Sequence, residues 1–167
     1  MKVVLALGSN LGDRFQTLQG AVDTLFDAPG LNFVKASPVY ETDPVGGPGG
    51  QEPYLNAVVV AETILEPHAL LERALSVENA FGRVRAERWG ARTLDVDLIV
   101  VGETVCADAE LTLPHPRVHE RAFVLVPWSQ ADPEAAIPGR GRVSDLLEGL
   151  DTRGVRLRAD LTLEMPD

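Results

Sequence analysis

Lys2-Val3-Val4-Leu5-Ala6-Leu7-Gly8-Ser9-Asn10-Leu11-Gly12-Asp13 opens the chain with a strand and the turn that closes it. Lys2 to Leu7 is a short apolar run with β-branched residues, which predicts a buried strand. Gly8 to Asp13 carries the residue types of a turn and of a helix N-terminus. Phe15, Leu18, Val22, Leu25 and Phe26 then recur at spacings of three and four, the period of an amphipathic helix, which Pro29-Gly30 ends.

The alternation continues outward from there. Leu31 to Val39 predicts a second strand and Tyr54 to Ile64, rich in valine and threonine, a third. Between them, Asp43 to Pro53 holds four glycines and three prolines, the composition of a long loop able to cover a site. Pro67 to Phe81 predicts a second helix, with proline in its first turn and Leu70, Leu71, Ala74, Leu75 and Val77 along or near its apolar stripe. Thr93 to Val101 predicts a fourth strand. A proline-bearing loop with His115, a strand or helix over Phe123 to Trp128, a small helix near Ser144 to Leu150 and a last strand within Val155 to Leu163 complete the chain. The order β-α-β-β-α-β predicts an α+β, ferredoxin-like antiparallel sheet with helices packed on one face. We expect one domain over residues 1–167.

The chain's 167 residues carry a net charge of −10. An acidic balance with 5% aromatic residues disfavours a nucleic-acid binder, which needs a basic face and exposed aromatics. The lone cysteine, Cys106, forms no internal disulfide and belongs to no zinc pattern. The apolar run before Gly8 is too short for a signal peptide or a membrane span. The expectation is a cytoplasmic protein with no nucleic-acid, membrane or obligate protein partner.

Candidate chemistry concentrates between Arg83 and Asp97. Asp95 and Asp97 stand two apart on a predicted strand, so both carboxylates leave the same face while Leu94, Val96 and Leu98 take the other. Two adjacent carboxylates repel; magnesium resolves that repulsion and characteristically takes one or two carboxylates together with phosphate oxygens. A solvent-facing pair matched to arginines is the other reading. Arg83, Arg85, Arg88 and Arg92 lie within ten residues of one another and offer planar forks suited to phosphate, or else a solvated loop with Glu87. Trp89 lies among them, followed by Gly90. Tyr54 and Asn56 share a strand face, where an aromatic ring and an amide can stack on a heterocycle and read its edge, or simply pack. His115, in Leu113-Pro114-His115-Pro116-Arg117, is either a phosphate donor or structural. No GxxxxGK[ST] phosphate loop is present.

The segments Ala6 to Asp13, Tyr40-Glu41-Thr42, Tyr54 to Ala57, Gly82 to Arg85, Arg88 to Asp97, Pro114 to Arg117, and Arg121 to Phe123 together resemble the 6-hydroxymethyl-7,8-dihydropterin pyrophosphokinases of folate biosynthesis. The resemblance implies long catalytic loops and transfer of pyrophosphate from ATP to the pterin hydroxymethyl group, giving AMP and the dihydropterin diphosphate. It implies Asp95 and Asp97 as ligands of two Mg2+ ions, with Arg83 and Arg92 beside them in catalysis. It implies Glu78, Arg85, Trp89, Arg92, His115 and Arg121 as ATP contacts, and Thr42, Val45, Tyr54, Asn56 and Phe123 as the pterin site. Ala91 stands where proline is common, and Val45 where leucine is frequent. The alternative is a non-catalytic nucleotide-sensing module of the same fold. The stretch beyond Pro127 carries no motif of the family.

Overall fold

The computed structural model describes residues 1–10, 12–43, 52–82 and 94–166. In chain order the elements are β1 (Lys2–Ser9), α1 (Arg14–Leu25), β2 (Leu31–Ala36), β3 (Tyr40–Thr42), β4 (Tyr54–Thr63), α2 (Pro67–Gly82) and β5 (Asp95–Val101). They continue with β6 (Cys106–Ala107), β7 (Thr112–Leu113), α3 (Ala122–Ala131), β8 (Ala136–Ile137), β9 (Gly141–Arg142), α4 (Val143–Leu147) and β10 (Val155–Leu157).

The main sheet runs β10-β3-β4-β1-β5, and β2 also pairs with β4. Every pairing in it is antiparallel. β1 is therefore central, with β4 on one side and β5 on the other. All its residues after Lys2 are buried, so its sequence is a continuous apolar run rather than an alternation: both faces of the sheet are covered. Val3, Leu5 and Leu7 point into a core shared with Leu18, Val22 and Leu25 of α1 and Leu70, Ala74 and Val77 of α2. Val4 and Ala6 point the other way, into a core with Val58, Val60 and Ile99 that Val124, Leu125 and Trp128 of α3 complete.

This corrects the expectation of helices on one face only. The segment Phe123 to Trp128, open between strand and helix in the sequence, is a helix, and its residues are apolar because they roof the second face. Leu125 is fully buried, and truncating such a side chain to alanine costs roughly 2–5 kcal/mol.

The strand expected over Leu31 to Val39 is interrupted. Pro38 has no N–H to donate, and the break is bridged by Ser37, whose N–H donates to Val58 O at 2.8 Å while its Oγ accepts from Val58 N at 2.9 Å. β2 and β3 thus continue along the same edge of β4 on either side of the proline. Asp13 caps α1, its Oδ1 accepting from Gln16 N at 3.1 Å. The far end of α1 is closed from α2, where Arg73 donates to the carbonyls of Leu25, Ala28 and Pro29 at 3.4, 3.2 and 2.7 Å, satisfying acceptors that a helix end leaves open. No described helix is long and apolar enough to cross a membrane.

Candidate active site

β5 starts with the two aspartates. In its ladder with β1, Asp95 lies opposite Gly8 and Asp97 opposite Ala6. Leu94, Val96 and Leu98 are buried in the core under α1 and α2. Strand alternation then delivers both carboxylates to the α3 side of the sheet, where they are partly exposed. They line a cleft of about 570 Å³ together with Gly8, Thr42, Asp43, Tyr54, Asn56, Arg117, Arg121, Phe123, Gly154 and Val155.

The amide in this cleft is held from below. Asn56 is 7% exposed; its Oδ1 accepts from Thr42 Oγ1 at 2.5 Å and its Nδ2 donates to Leu7 O at 3.4 Å. An amide nitrogen has two N–H donors and its oxygen two acceptor positions, so these two bonds leave one of each. The neighbouring strand makes room: a Cβ on Gly8 would lie 2.8 Å from Asn56 Nδ2 and 3.4 Å from the Tyr54 ring. Gly8 is needed here for close approach rather than for backbone freedom.

Across the cleft, Arg121 precedes α3 and Phe123 lies in its first turn. The Arg121 guanidinium sits 5.7 Å from the centre of the Phe123 ring and 3.8 Å from Asp97 Oδ2. The N-terminal end of α3 adds positive potential beside the carboxylates, and Phe123 presents an aromatic wall to the space that Tyr54 lines from β4.

A second cleft of about 390 Å³ shares Asp97 with the first and is otherwise lined by Glu78, Asp108, Glu110, His115, Thr112 and apolar residues including Leu71, Leu75 and Leu111. His115 is fixed by its backbone, its N–H donating to Ile99 O at 2.9 Å, and its Nδ1 accepts from Arg117 N at 3.2 Å. Burial, reinforced by the charges of Arg121 and Arg117 and opposed by Asp97, pulls its pKa below the ordinary 6.5. With Nδ1 accepting, Nε2 is the ring nitrogen that carries an N–H. Glu78 reaches β5, its Oε2 accepting from Val96 N at 2.7 Å.

The expected residues Asp95, Asp97, Thr42, Tyr54, Asn56, Phe123 and Arg121 thus converge on one cleft, and Glu78 and His115 on its neighbour. Val45, Arg83, Arg85, Trp89 and Arg92 lie outside the described residues. Missed from the sequence were Asp43 and the C-terminal contributors Asp151, Gly154 and Val155. These last three reach the cleft because β10 pairs with β3, placing Val155 opposite Thr42; a three-residue strand far along the chain carries no signal of that partner.

The chemistry of the pair fits a hard cation. Among the described residues no cluster of three or more His, Cys, Asp or Glu side chains forms a self-sufficient metal cage. Two carboxylates on an open cleft are what magnesium uses when phosphate oxygens supply much of its shell.

Comparison with known proteins identifies the family. Residues 4–133 match the 7,8-dihydro-6-hydroxymethylpterin-pyrophosphokinase (HPPK) family. Several proteins named 2-amino-4-hydroxy-6-hydroxymethyldihydropteridine pyrophosphokinase are similar along most of their length. That of Mycobacterium leprae is 46% identical, covering 98% of this chain and 92% of its own. That of Mycobacterium bovis is 45% identical, covering 93% and 89%, and that of Methylorubrum extorquens 44% identical, covering 92% and 96%. Among solved structures, Plasmodium falciparum HPPK-DHPS with pteroate shares the fold, with a TM-score of 0.67 at 14% identity over 88% of this chain. The chain spans only 42% of that longer polypeptide.

Proposed function

This chain belongs to the 7,8-dihydro-6-hydroxymethylpterin-pyrophosphokinase family, the pyrophosphokinases of folate biosynthesis, and from that premise we propose how its two clefts divide the work. The pterin occupies the larger cleft, between the rings of Tyr54 and Phe123, with Asn56 and Thr42 reading its polar edge. ATP occupies the smaller cleft and extends its phosphates toward Asp97. The observation that carries this reading is that Asp97 lines both clefts, so the reacting groups meet at the carboxylates.

Asp95 and Asp97 would hold magnesium, two ions by the family resemblance. When bound, the metal supplies charge neutralisation among the phosphate oxygens. The chain's own residues position and neutralise, as phosphoryl chemistry requires. Arg121 adds fixed positive charge beside Asp97. His115 offers its Nε2–H to a phosphate oxygen. The buried Asn56–Thr42 pair fixes the pterin so that its hydroxymethyl oxygen faces the β-phosphorus. That oxygen forms the new bond, the bond to the AMP oxygen breaks, and the hydroxyl proton is released. Glu78 borders the ATP cleft, and Val45, Arg83, Arg85, Trp89 and Arg92 keep the roles the resemblance implies. The sheet order, with β5 and β4 flanking β1 and β2 and β3 beyond β4, supports the ferredoxin-like βαββαβ reading.

The test is incubation with ATP, magnesium and 6-hydroxymethyl-7,8-dihydropterin. AMP as the nucleotide product is expected. ADP would mean single phosphoryl transfer, and magnesium-insensitive nucleotide binding without turnover would mean a sensing module; either result overturns the assignment.

A further inference from the structure

We propose that Arg156 is a positioning residue for the pterin cleft, acting through Asp43 and Glu41 to seat β10 as the wall behind Thr42. The inference rests on the cleft assignment above and goes beyond it, because it gives the C-terminal segment a task in substrate recognition.

β10 is a three-residue edge strand whose ladder partner is the equally short β3. Such a pair is weak by itself. Yet Gly154 and Val155 line the cleft, and Val155 lies opposite Thr42, the donor to Asn56. Side chains supply what the short ladder lacks. Arg156 binds Asp43 with both arms of its fork, Nη1 to Oδ2 at 3.2 Å and Nη2 to Oδ1 at 3.0 Å. The same Nη2 lies 3.7 Å from Glu41 Oε1. The other Glu41 oxygen accepts from Arg158 at 3.3 Å and from Arg14 at 2.8 Å, and Arg14 Nη1 also donates to Pro53 O at 2.8 Å. The Asp43 N–H donates to Gly154 O at 3.2 Å.

Glu41 is thus a junction for three arginines from two distant parts of the chain. Through it, β10 is tied to Asp43, which follows Thr42, and to Pro53, which precedes Tyr54. Both pterin-contacting strand ends are held by one network. A lone exposed ion pair contributes little, but a bidentate arginine within a network fixes geometry. The effect to expect is on pterin geometry, while Glu78 and His115 lie outside the network.

Steady-state kinetics of Arg156→Gln, read as AMP formation with each substrate varied, tests this. The KM for the pterin should rise on the order of tenfold, as for a loss of uniform binding, with kcat and the KM for ATP within about twofold. Arg156→Lys keeps the charge without the planar fork and should recover part of the lost pterin affinity. If Arg156→Gln folds poorly by its melting curve, Arg156→Lys carries the same test, with a rise of roughly threefold in the pterin KM. An unchanged pterin KM, an equal rise for both substrates, or no recovery in Arg156→Lys overturns the proposal while leaving the activity standing. Absence of AMP formation by the unaltered chain would overturn the activity and this proposal together.

Discussion

The Glu78 carboxylate near the end of α2 accepts a hydrogen bond from the backbone N–H of Val96, between the two aspartates of β5, at 2.7 Å. Among the described residues β5 is the last strand on its side of the sheet, so an N–H on its outer edge has no described strand beside it to receive it. The helix provides the acceptor, and the strand that carries Asp95 and Asp97 is thereby fixed to α2. Glu78→Ala should lower stability by roughly 1–3 kcal/mol, the cost of leaving a part-buried donor unmatched. Glu78→Gln keeps an acceptor oxygen and should recover most of that. Denaturant melts of the two variants check the pair, and equal stability of Glu78→Ala and the parent would refute it.

Asp97→Ala should abolish AMP formation, with a fall in kcat of at least about 10²-fold, because it removes a carboxylate from the point where both clefts meet. Its side chain is 40% exposed, so the melting temperature should move little. Retained activity at saturating magnesium would sink the metal assignment.

Gly8→Ala tests the close approach of β1 and β4. The added methyl would meet Asn56 Nδ2 at 2.8 Å, and the short asparagine side chain, bonded to Thr42 and Leu7 O, has no free arm to swing away. Pterin affinity should fall about tenfold, equivalent to roughly 1.4 kcal/mol, with ATP affinity retained. Binding titrations with each substrate separate the two; parallel losses would mean a general disturbance of the sheet.

The Glu41 junction predicts a pH dependence. The hydrogen bond from Arg14, opposed by burial and aided by the charges of Arg14, Arg158 and Arg156, holds the Glu41 carboxyl below its ordinary 4.5. A carboxylate with a lowered folded pKa contributes stability that is full above the unfolded value and is lost as pH falls through the folded one. Glu41→Gln should therefore melt below the parent at pH 7, and the gap should close as the pH drops below about 4. A gap that is constant from pH 7 to pH 3 would show that the charge of Glu41 does not contribute.

Much of this was legible beforehand because local rules carried it. The apolar periods gave α1 and α2, the β-branched runs gave β1 and β4, and the two-residue spacing put Asp95 and Asp97 on one face without reference to anything distant. The family motifs named Thr42, Tyr54, Asn56 and Phe123 together. The expectation failed where a long-range partner decides the outcome. The strand expected through Val39 breaks at Pro38 because Ser37 binds Val58. The expected one-sided helix layer became two-sided because α3, whose sequence is apolar nearly throughout, found the second face of a sheet whose central strand is buried on both sides.

The sequence by itself determined the elements of the sheet, the carboxylate pair and the family, since these depend on periodicity and on motifs a few residues long. Only the tertiary structure decided that Asp97 borders two clefts, that Glu78 holds the strand bearing it, and that a three-residue strand near the C-terminus lines the larger cleft. Each of those is a pairing across tens of residues, governed by which donor meets which acceptor once the core has closed, and no local pattern in the chain encodes it.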